Sequence, residues 1–100
     1  MHTFEVRFRP RAAKAFEKLG TADKRQLAAK LAERRDNPRV PGDAVRQIPN
    51  GYRLKLRKSG IRLIYQVRDQ QLLVLVLAIG RREREEAYRE ALREYGNVDE

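Results

Sequence analysis

YRLKLRKSGIRLIYQV, residues Tyr52 to Val67, alternates apolar and basic side chains on either side of a Ser59-Gly60 pair. Period-two alternation marks a strand with one buried face, and the Ser-Gly pair makes the stretch a β-hairpin. A two-residue turn there sets Leu56 opposite Leu63, Leu54 opposite Tyr65 and Tyr52 opposite Val67. All the large apolar side chains then share one side, which is how register is normally selected. The other side sets Arg57 opposite Arg62, Lys55 opposite Ile64 and Arg53 opposite Gln66. Like charges facing each other destabilise a sheet. A face that gathers four cations gives up stability, and a bound polyanion is the simplest reason. The plainer reading is the solvated face of an amphipathic hairpin, but such faces usually mix Glu with Lys, and this one has no acid.

After the hairpin, the run from Leu72 to Ile79 is apolar throughout and reads as a strand buried on both faces. The short spacing of the three segments leaves no room for crossover helices, so they form an antiparallel meander. Gly80 is expected to break the last strand, and a final helix is expected from about Glu83 to Tyr95, with Ala87, Tyr88, Ala91, Leu92 and Tyr95 on one face. Before the hairpin, Thr3 to Phe8 alternates as a strand. Pro10 opens a helix whose stripe is Ala12, Ala13, Phe16 and Leu19, and Gly20 suits its C-cap. Thr21 suits the N-cap of a second helix carrying Leu27, Ala28, Leu31 and Ala32, which Asp36-Asn37-Pro38 stops. Val40 to Gly51 is a loop. The expected fold is α+β: an N-terminal strand, a two-helix hairpin, a three-stranded antiparallel meander and a C-terminal helix.

One hundred residues make one domain, spanning 1–100. The chain has no cysteine and one histidine, His2, beside the initiator methionine. Disulfides, thiolate chemistry and a Cys- or His-based metal site are therefore not expected, nor is any cofactor. No signal peptide or membrane-spanning run is legible, so the expected compartment is the cytoplasm, with no membrane partner. Lys and Arg number 23 against 14 Asp and Glu, for a net charge of +9. Seven of those cations, Arg46, Arg53, Lys55, Arg57, Lys58, Arg62 and Arg68, fall between Ala44 and Arg68 with no acid among them. A field this localised attracts polyanions. Arg81, Arg82 and Arg84 crowd the start of the last helix, where the macrodipole disfavours cations. Leaving the sheet beside the hairpin, Arg82 can join the same cluster, and Tyr88 follows six residues later.

A face of arginines, one lysine and a tyrosine, without clustered carboxylates, disfavours two-metal phosphodiester hydrolysis. RNA brings its own nucleophile, the 2′-hydroxyl, so its cleavage needs in-line positioning, charge neutralisation and proton transfer. Arginine stays protonated and is restricted to binding and transition-state stabilisation. Lys55 is the ionisable group in mid-patch able to trade a proton. Tyr88 can stack on a base or take part in proton transfer, although tyrosines so placed on a helix are more often core.

These features resemble the RelE-type toxins of bacterial toxin–antitoxin modules, within the wider RelE/ParE group. The resemblance covers nearly the whole chain and is strongest in Tyr52–Val67 and in GRREREEAY, Gly80–Tyr88; Lys18-Leu19-Gly20 and Asn37-Pro38-Arg39 add to it. It implies an endoribonuclease that cuts messenger RNA in the ribosomal A site by 2′-hydroxyl attack, without a metal. Arg62, Arg82 and Tyr88 fall on family active-site positions, and Lys55 matches the second of two strand lysines. Arg53 replaces the first, keeping its charge but not its capacity as a base. Arg46 corresponds to a basic loop residue that supports RNA binding, and Arg57, Lys58 and Arg81 extend the RNA-binding surface. The resemblance also implies a RelB-like antitoxin that covers the cationic face or displaces the last helix, besides ribosome and message as partners. Two rival readings are a ParE-type gyrase inhibitor on the same fold and an RNA- or DNA-binding module without catalysis. ParE-type chains generally lack this set of strand lysine, arginine and helix tyrosine.

Overall fold

A computed structural model describes residues 3–81 and 85–98. In chain order it contains β1 (Glu5–Phe8), α1 (Pro10–Glu17), α2 (Thr21–Asp36), β2 (Ala44–Val45), β3 (Gly51–Leu56), β4 (Ile61–Arg68), β5 (Leu73–Arg81) and α3 (Glu86–Val98). The expected α+β class and element order hold, with one addition: β2, a two-residue strand inside the expected loop. The strands form one sheet in the order β1-β5-β4-β3-β2. The meander is antiparallel as expected, whereas β1 runs parallel to β5, from Glu5 opposite Leu73 to Phe8 opposite Val76. The two intervening helices carry the chain across to make that parallel pairing possible.

Helices cover both faces of the sheet. On one, Ala12, Leu27 and Leu31 pack with Leu54, Leu56, Leu63, Tyr65, Val67, Val74 and Val76. On the other, Ala87 and Ala91 of α3 pack with Ile64, Leu73, Leu75, Leu77 and Ala78. Leu73 to Ala78 is accordingly buried at every position, as a strand covered on both sides requires. Leu27 and Leu31 alone are buried on α2, while Ala28 and Ala32 are exposed.

The hairpin register differs from the expected one by two residues. Leu56 faces Ile61, Leu54 faces Leu63, Tyr52 faces Tyr65, Arg53 faces Ile64 and Lys55 faces Arg62. The turn is Arg57 to Gly60: the Gly60 N–H donates to Leu56 O at 2.9 Å, and Gly60 alone takes a positive φ of 72°. A two-residue turn of the favoured kind would also ask Ser59 for a positive φ, which costs a non-glycine residue strain. Because the slip is an even number, every side chain keeps its face. Lys55, rather than Arg57, is therefore the cation directly opposite Arg62.

Glycine roles shift too. Gly20 is extended, at φ −67° and ψ 162°, and is the N-cap of α2, so Thr21 is the first helical residue; Lys18 ends α1. Gly80 does not break β5, which continues through it to Arg81. A bulge between Ile64 and Tyr65 explains its presence. Ile64 pairs with Ala78 and Tyr65 with Val76, leaving Leu77 as the extra residue and reversing the side-chain alternation beyond it. Gly80 thus lies opposite Arg62, on the side covered by α3. A Cβ there would sit 2.6 Å from Glu86 Cβ and 2.7 Å from Ala87 N. The close crossing of β5 and α3 also explains why the helix begins at Glu86, later than expected.

Two ion pairs tie the periphery. Arg9 Nε donates to Glu94 Oε1 at 3.0 Å, fastening α3 to the β1–α1 junction. Arg39 grips Asp69 through two hydrogen bonds of 2.6 and 2.8 Å, and this holds the Asp69 carboxyl below its ordinary value. A carboxylate depressed on folding stabilises the fold above its unfolded value, and that contribution disappears as pH falls through the folded one. Asp69→Asn should therefore melt below the wild type at neutral pH, with the gap closing in acid; a pH-independent gap in melting curves would refute this role. Gly80→Ala should destabilise by about 1–3 kcal/mol through overpacking, measured by denaturant titration.

Candidate active site

Arg53 and Lys55 on β3 and Arg62 on β4 point to the sheet face that α3 crosses, because each alternates with a core residue: Leu54, Leu56, Ile61 and Leu63. Tyr88 reaches the same place from the first turn of α3, whose start Gly80 admits so close to the sheet. The Tyr88 hydroxyl accepts hydrogen bonds from Arg53 Nη1 at 3.0 Å and from Arg62 Nη1 at 3.1 Å. The Arg62 guanidinium carbon also lies 5.6 Å from the Tyr88 ring centroid, within cation–π reach. Two accepted bonds occupy the lone-pair side of the phenol oxygen, so its own proton is left to point elsewhere. Tyr88 is half-buried and joins the arginines to the α3 core.

A cleft of about 540 Å³ opens beside this cluster. Its floor is Arg53, Arg62 and Tyr88; Ala44, Val45, Arg46 and Gln47 form one wall, and Glu85, Arg89 and Leu92 of the α3 segment form the other. A smaller cavity of about 430 Å³, lined by Gln66, Arg68 and Tyr95 among others, lies toward the opposite end of β4. It gathers no comparable set of guanidinium groups, so the chemistry belongs to the first.

The structure brings together Arg53, Arg62 and Tyr88 by direct contact and Arg46 through the shared cleft, whereas Lys55 pairs opposite Arg62 but lines a separate small pocket with Arg57 and Gly60. Arg57 and Lys58 are exposed in the hairpin turn and do not line the cleft. Arg81 is at that same end of the sheet, opposite Ile61, with Nη1 donating to Ser59 O at 3.2 Å. Arg82 lies outside the described residues.

The expected absence of acid needs correction. Asp43, just before the acid-free stretch, places Oδ1 3.9 Å from Arg53 Nε, while its Oδ2 accepts from Arg34 Nη2 at 2.8 Å. Glu85 borders the cleft as well. Asp43 lies one residue before the acid-free stretch, and the side of the sheet it reaches is set by its bond to Arg34 of α2. Arg89 and Leu92 had a usable signal, since Glu85, Tyr88, Arg89 and Leu92 are spaced as one stripe of a helix. Leu92 is 43% exposed and belongs to that cleft stripe rather than to the core.

Asp43 still leaves the site rich in unpaired cations. Arg7, Arg9, Arg11, Lys24, Arg34, Arg39 and Arg93 all reach a carboxylate. Among the described residues, Arg46, Lys55, Arg57, Lys58, Arg62, Arg81 and Arg89 reach none; nor do Arg68, at the far end of β4, or Lys14, Lys18, Arg25, Lys30 and Arg35, on and beside α1 and α2. The Nε groups of Arg53 and Arg62 are buried without a hydrogen-bond partner among those residues, at a cost of about 1–3 kcal/mol each. Exceptions of this kind are uncommon in folded proteins and call for a reason.

Behind the site, Arg34 also donates to the Tyr65 hydroxyl at 2.7 Å, and that hydroxyl donates to Pro38 O at 2.6 Å. Burial pushes the Tyr65 phenol up, with Arg34 pulling the other way. Arg34 and Asp43 thus fasten the segment before β2 to α2. Asp43→Ala should cost about 1.5–3 kcal/mol, the worth of a hydrogen bond between charged groups. Unchanged stability in denaturant titration would show the pair to be ornamental.

Comparison with known proteins gives one answer at the level of family. Residues 6–86 match the family model for the ParE toxin of the type II toxin–antitoxin system parDE. The mRNA interferase toxin RelE of Escherichia coli K12 is 44% identical over 86 residues, covering 86% of this chain and 90% of the relative. An arginine-to-alanine double mutant of E. coli toxin RelE in the free state superimposes with a TM-score of 0.85 at 41% identity, covering 93% of this chain and 97% of that one. The toxin in the intact E. coli RelBE toxin–antitoxin complex gives 0.76 at 40% identity, covering 79% and 95%. With this fold, this hairpin and these likenesses, the chain belongs to the RelE-type toxins of the RelE/ParE superfamily.

Proposed function

We propose that residues 1–100 form one toxin domain of a toxin–antitoxin module, an endoribonuclease that cuts messenger RNA in the ribosomal A site and so arrests translation. The observation that carries this reading is the convergence of Arg53 and Arg62 on the Tyr88 hydroxyl in a cleft poor in acid. The E. coli relative is an mRNA interferase, and its likeness covers 86% of this chain. The family model bears the ParE name, which keeps gyrase inhibition as the second reading.

In the proposed reaction the RNA 2′-oxygen attacks the adjacent phosphorus and the bond from phosphorus to the 5′-oxygen breaks. The products are a 2′,3′-cyclic phosphate and a 5′-hydroxyl; one proton leaves the 2′-hydroxyl and one is supplied to the departing oxygen. Arg53 and Arg62 neutralise charge on the non-bridging oxygens, where preorganised cations act most strongly. Tyr88, its oxygen held by both guanidiniums, directs its O–H toward the cleft to support the leaving oxygen or a base. Lys55, beside Arg62, is the amine able to exchange a proton, and Arg82 adds charge. Arg46, Arg57, Lys58 and Arg81 hold the surrounding RNA. This reading places the protein in the cytoplasm, where ribosomes are; no helix among the described residues is long and apolar enough to cross a membrane. A RelB-like antitoxin, as in the solved RelBE complex, is the proposed neutralising partner.

The test is a cleavage assay with purified protein on a defined message, free and programmed into ribosomes. Cleavage should require the ribosome and fall within the A-site codon. Lys55→Ala and Tyr88→Phe should each lower the cleavage rate by about 10²-fold or more, the usual scale of a lost proton-transfer group, with ribosome affinity nearly intact. Full activity in both variants would overturn the assignment. Inhibition of gyrase without cleavage would select the ParE-type reading.

A further inference from the structure

The cleft that holds the Arg53–Arg62–Tyr88 cluster is lined by two more guanidinium groups. Arg46 comes from the segment following β2 and Arg89 from α3, so they occupy opposite walls with Arg53 and Arg62 between them on the floor. Arg89 is exposed. It borders a neighbouring pocket with Glu86 and Glu90 as well, but pairs neither with Glu85, four residues before it and within the usual reach of a helical ion pair, nor with Glu86, whose Oε1 accepts the Arg81 N–H. Arg93, one turn later, does pair with Glu90 at 3.1 Å. No described carboxylate approaches Arg46 either.

We infer that Arg46 and Arg89 form a second phosphate subsite, which takes the phosphate next to the scissile one on the same RNA strand. The inference rests on the ribonuclease reading, which puts the scissile phosphate over Arg53 and Arg62. A continuous strand leaving that point along the cleft passes between the two walls. Guanidinium groups suit this task because their planar fork matches phosphate oxygens. Leu92, exposed at the same wall, offers apolar surface to the attached nucleoside. Arg89 is a binding residue: it grips the strand away from the reacting atoms and so sets affinity rather than the limiting rate.

The test uses programmed ribosomes carrying short synthetic messages with one neutral methylphosphonate linkage, placed either immediately 5′ or immediately 3′ of the scissile linkage. Single-turnover cleavage then separates half-saturating toxin concentration from limiting rate. For the wild type, one of the two neutral linkages should raise half-saturation about tenfold. Arg89→Ala should show a similar rise on the unmodified message and no further rise with that linkage, at a limiting rate within about twofold of the wild type. Its salt dependence should be shallower by about 0.7 in logarithmic slope, the value for one contact to a single strand. Arg89→Lys should recover part of the loss, since it keeps the charge without the fork. The side chain is exposed and unpaired, so melting temperatures should match and exclude misfolding.

If Arg89→Ala cleaves with unchanged half-saturation and salt slope, or if its loss adds fully to that of both neutral linkages, the subsite is refuted. The same holds if the variant loses affinity only for an acidic antitoxin. Absence of cleavage by the wild type would instead defeat the ribonuclease reading, and the subsite with it.

Discussion

Everything at the site depends on β5 being buried on both faces while carrying a bulge at its centre. Two helices on one side and α3 on the other leave no residue from Leu73 to Ala78 in water. This double burial holds the strand beside β4 and provides the floor on which α3 sits. The bulge places Leu77 and Ala78 in the same core and turns Gly80 toward α3. Only a residue without Cβ admits Glu86 and Ala87 so close, and that approach sets Tyr88 above Arg62. A packing constraint in an apolar strand thereby decides the position of a polar group that the strand does not itself contain.

The carboxylates that form ion pairs lie mostly away from the site. Carboxylates pair with arginines at the helix junctions and the outer loops: Glu94 with Arg9, Glu90 with Arg11 and Arg93, and Asp69 with Arg39. The hairpin face and the cleft keep cations that lack such partners. Lys55 directly opposite Arg62, and the buried Arg62 Nε without an acceptor, are costs that the fold carries at this location. Such costs fit a surface whose missing partner is an anion that arrives with the substrate.

Arg53 is where this chain departs from the pattern it resembles, and its environment suits an arginine. Nη1 reaches Tyr88 while Nε faces Asp43, so one planar group spans two neighbours from opposite sides of the cleft floor. A lysine is a point charge with a flexible stem and does not span such a pair in this way. Arg53 thereby gives the phenol oxygen a second donor beside Arg62. Within a superfamily whose members bear both RelE and ParE names, the shared sheet does not by itself decide the activity.

The alternation from Tyr52 to Val67, the unbroken apolar run after it and the spacing of the helical stripes were enough for the α+β class, the element order and the basic face. Each follows from a local period of two or 3.6 residues, set by backbone geometry alone. The hairpin register could not be read in the same way: a slip of two residues keeps every side chain on its face, so hydrophobic pattern is blind to it. The short β2, the parallel pairing of β1 with β5, the bulge and the true reason for Gly80 all depend on partners distant in sequence. So does the neighbourhood of Arg53, where Asp43 and Tyr88 meet from ten residues before and thirty-five after. The sequence by itself determined the basic face of the hairpin and the apolar sides against which it is set. Only tertiary structure decided which side chains touch, because contact across a sheet is fixed by register and by the close packing of whole elements.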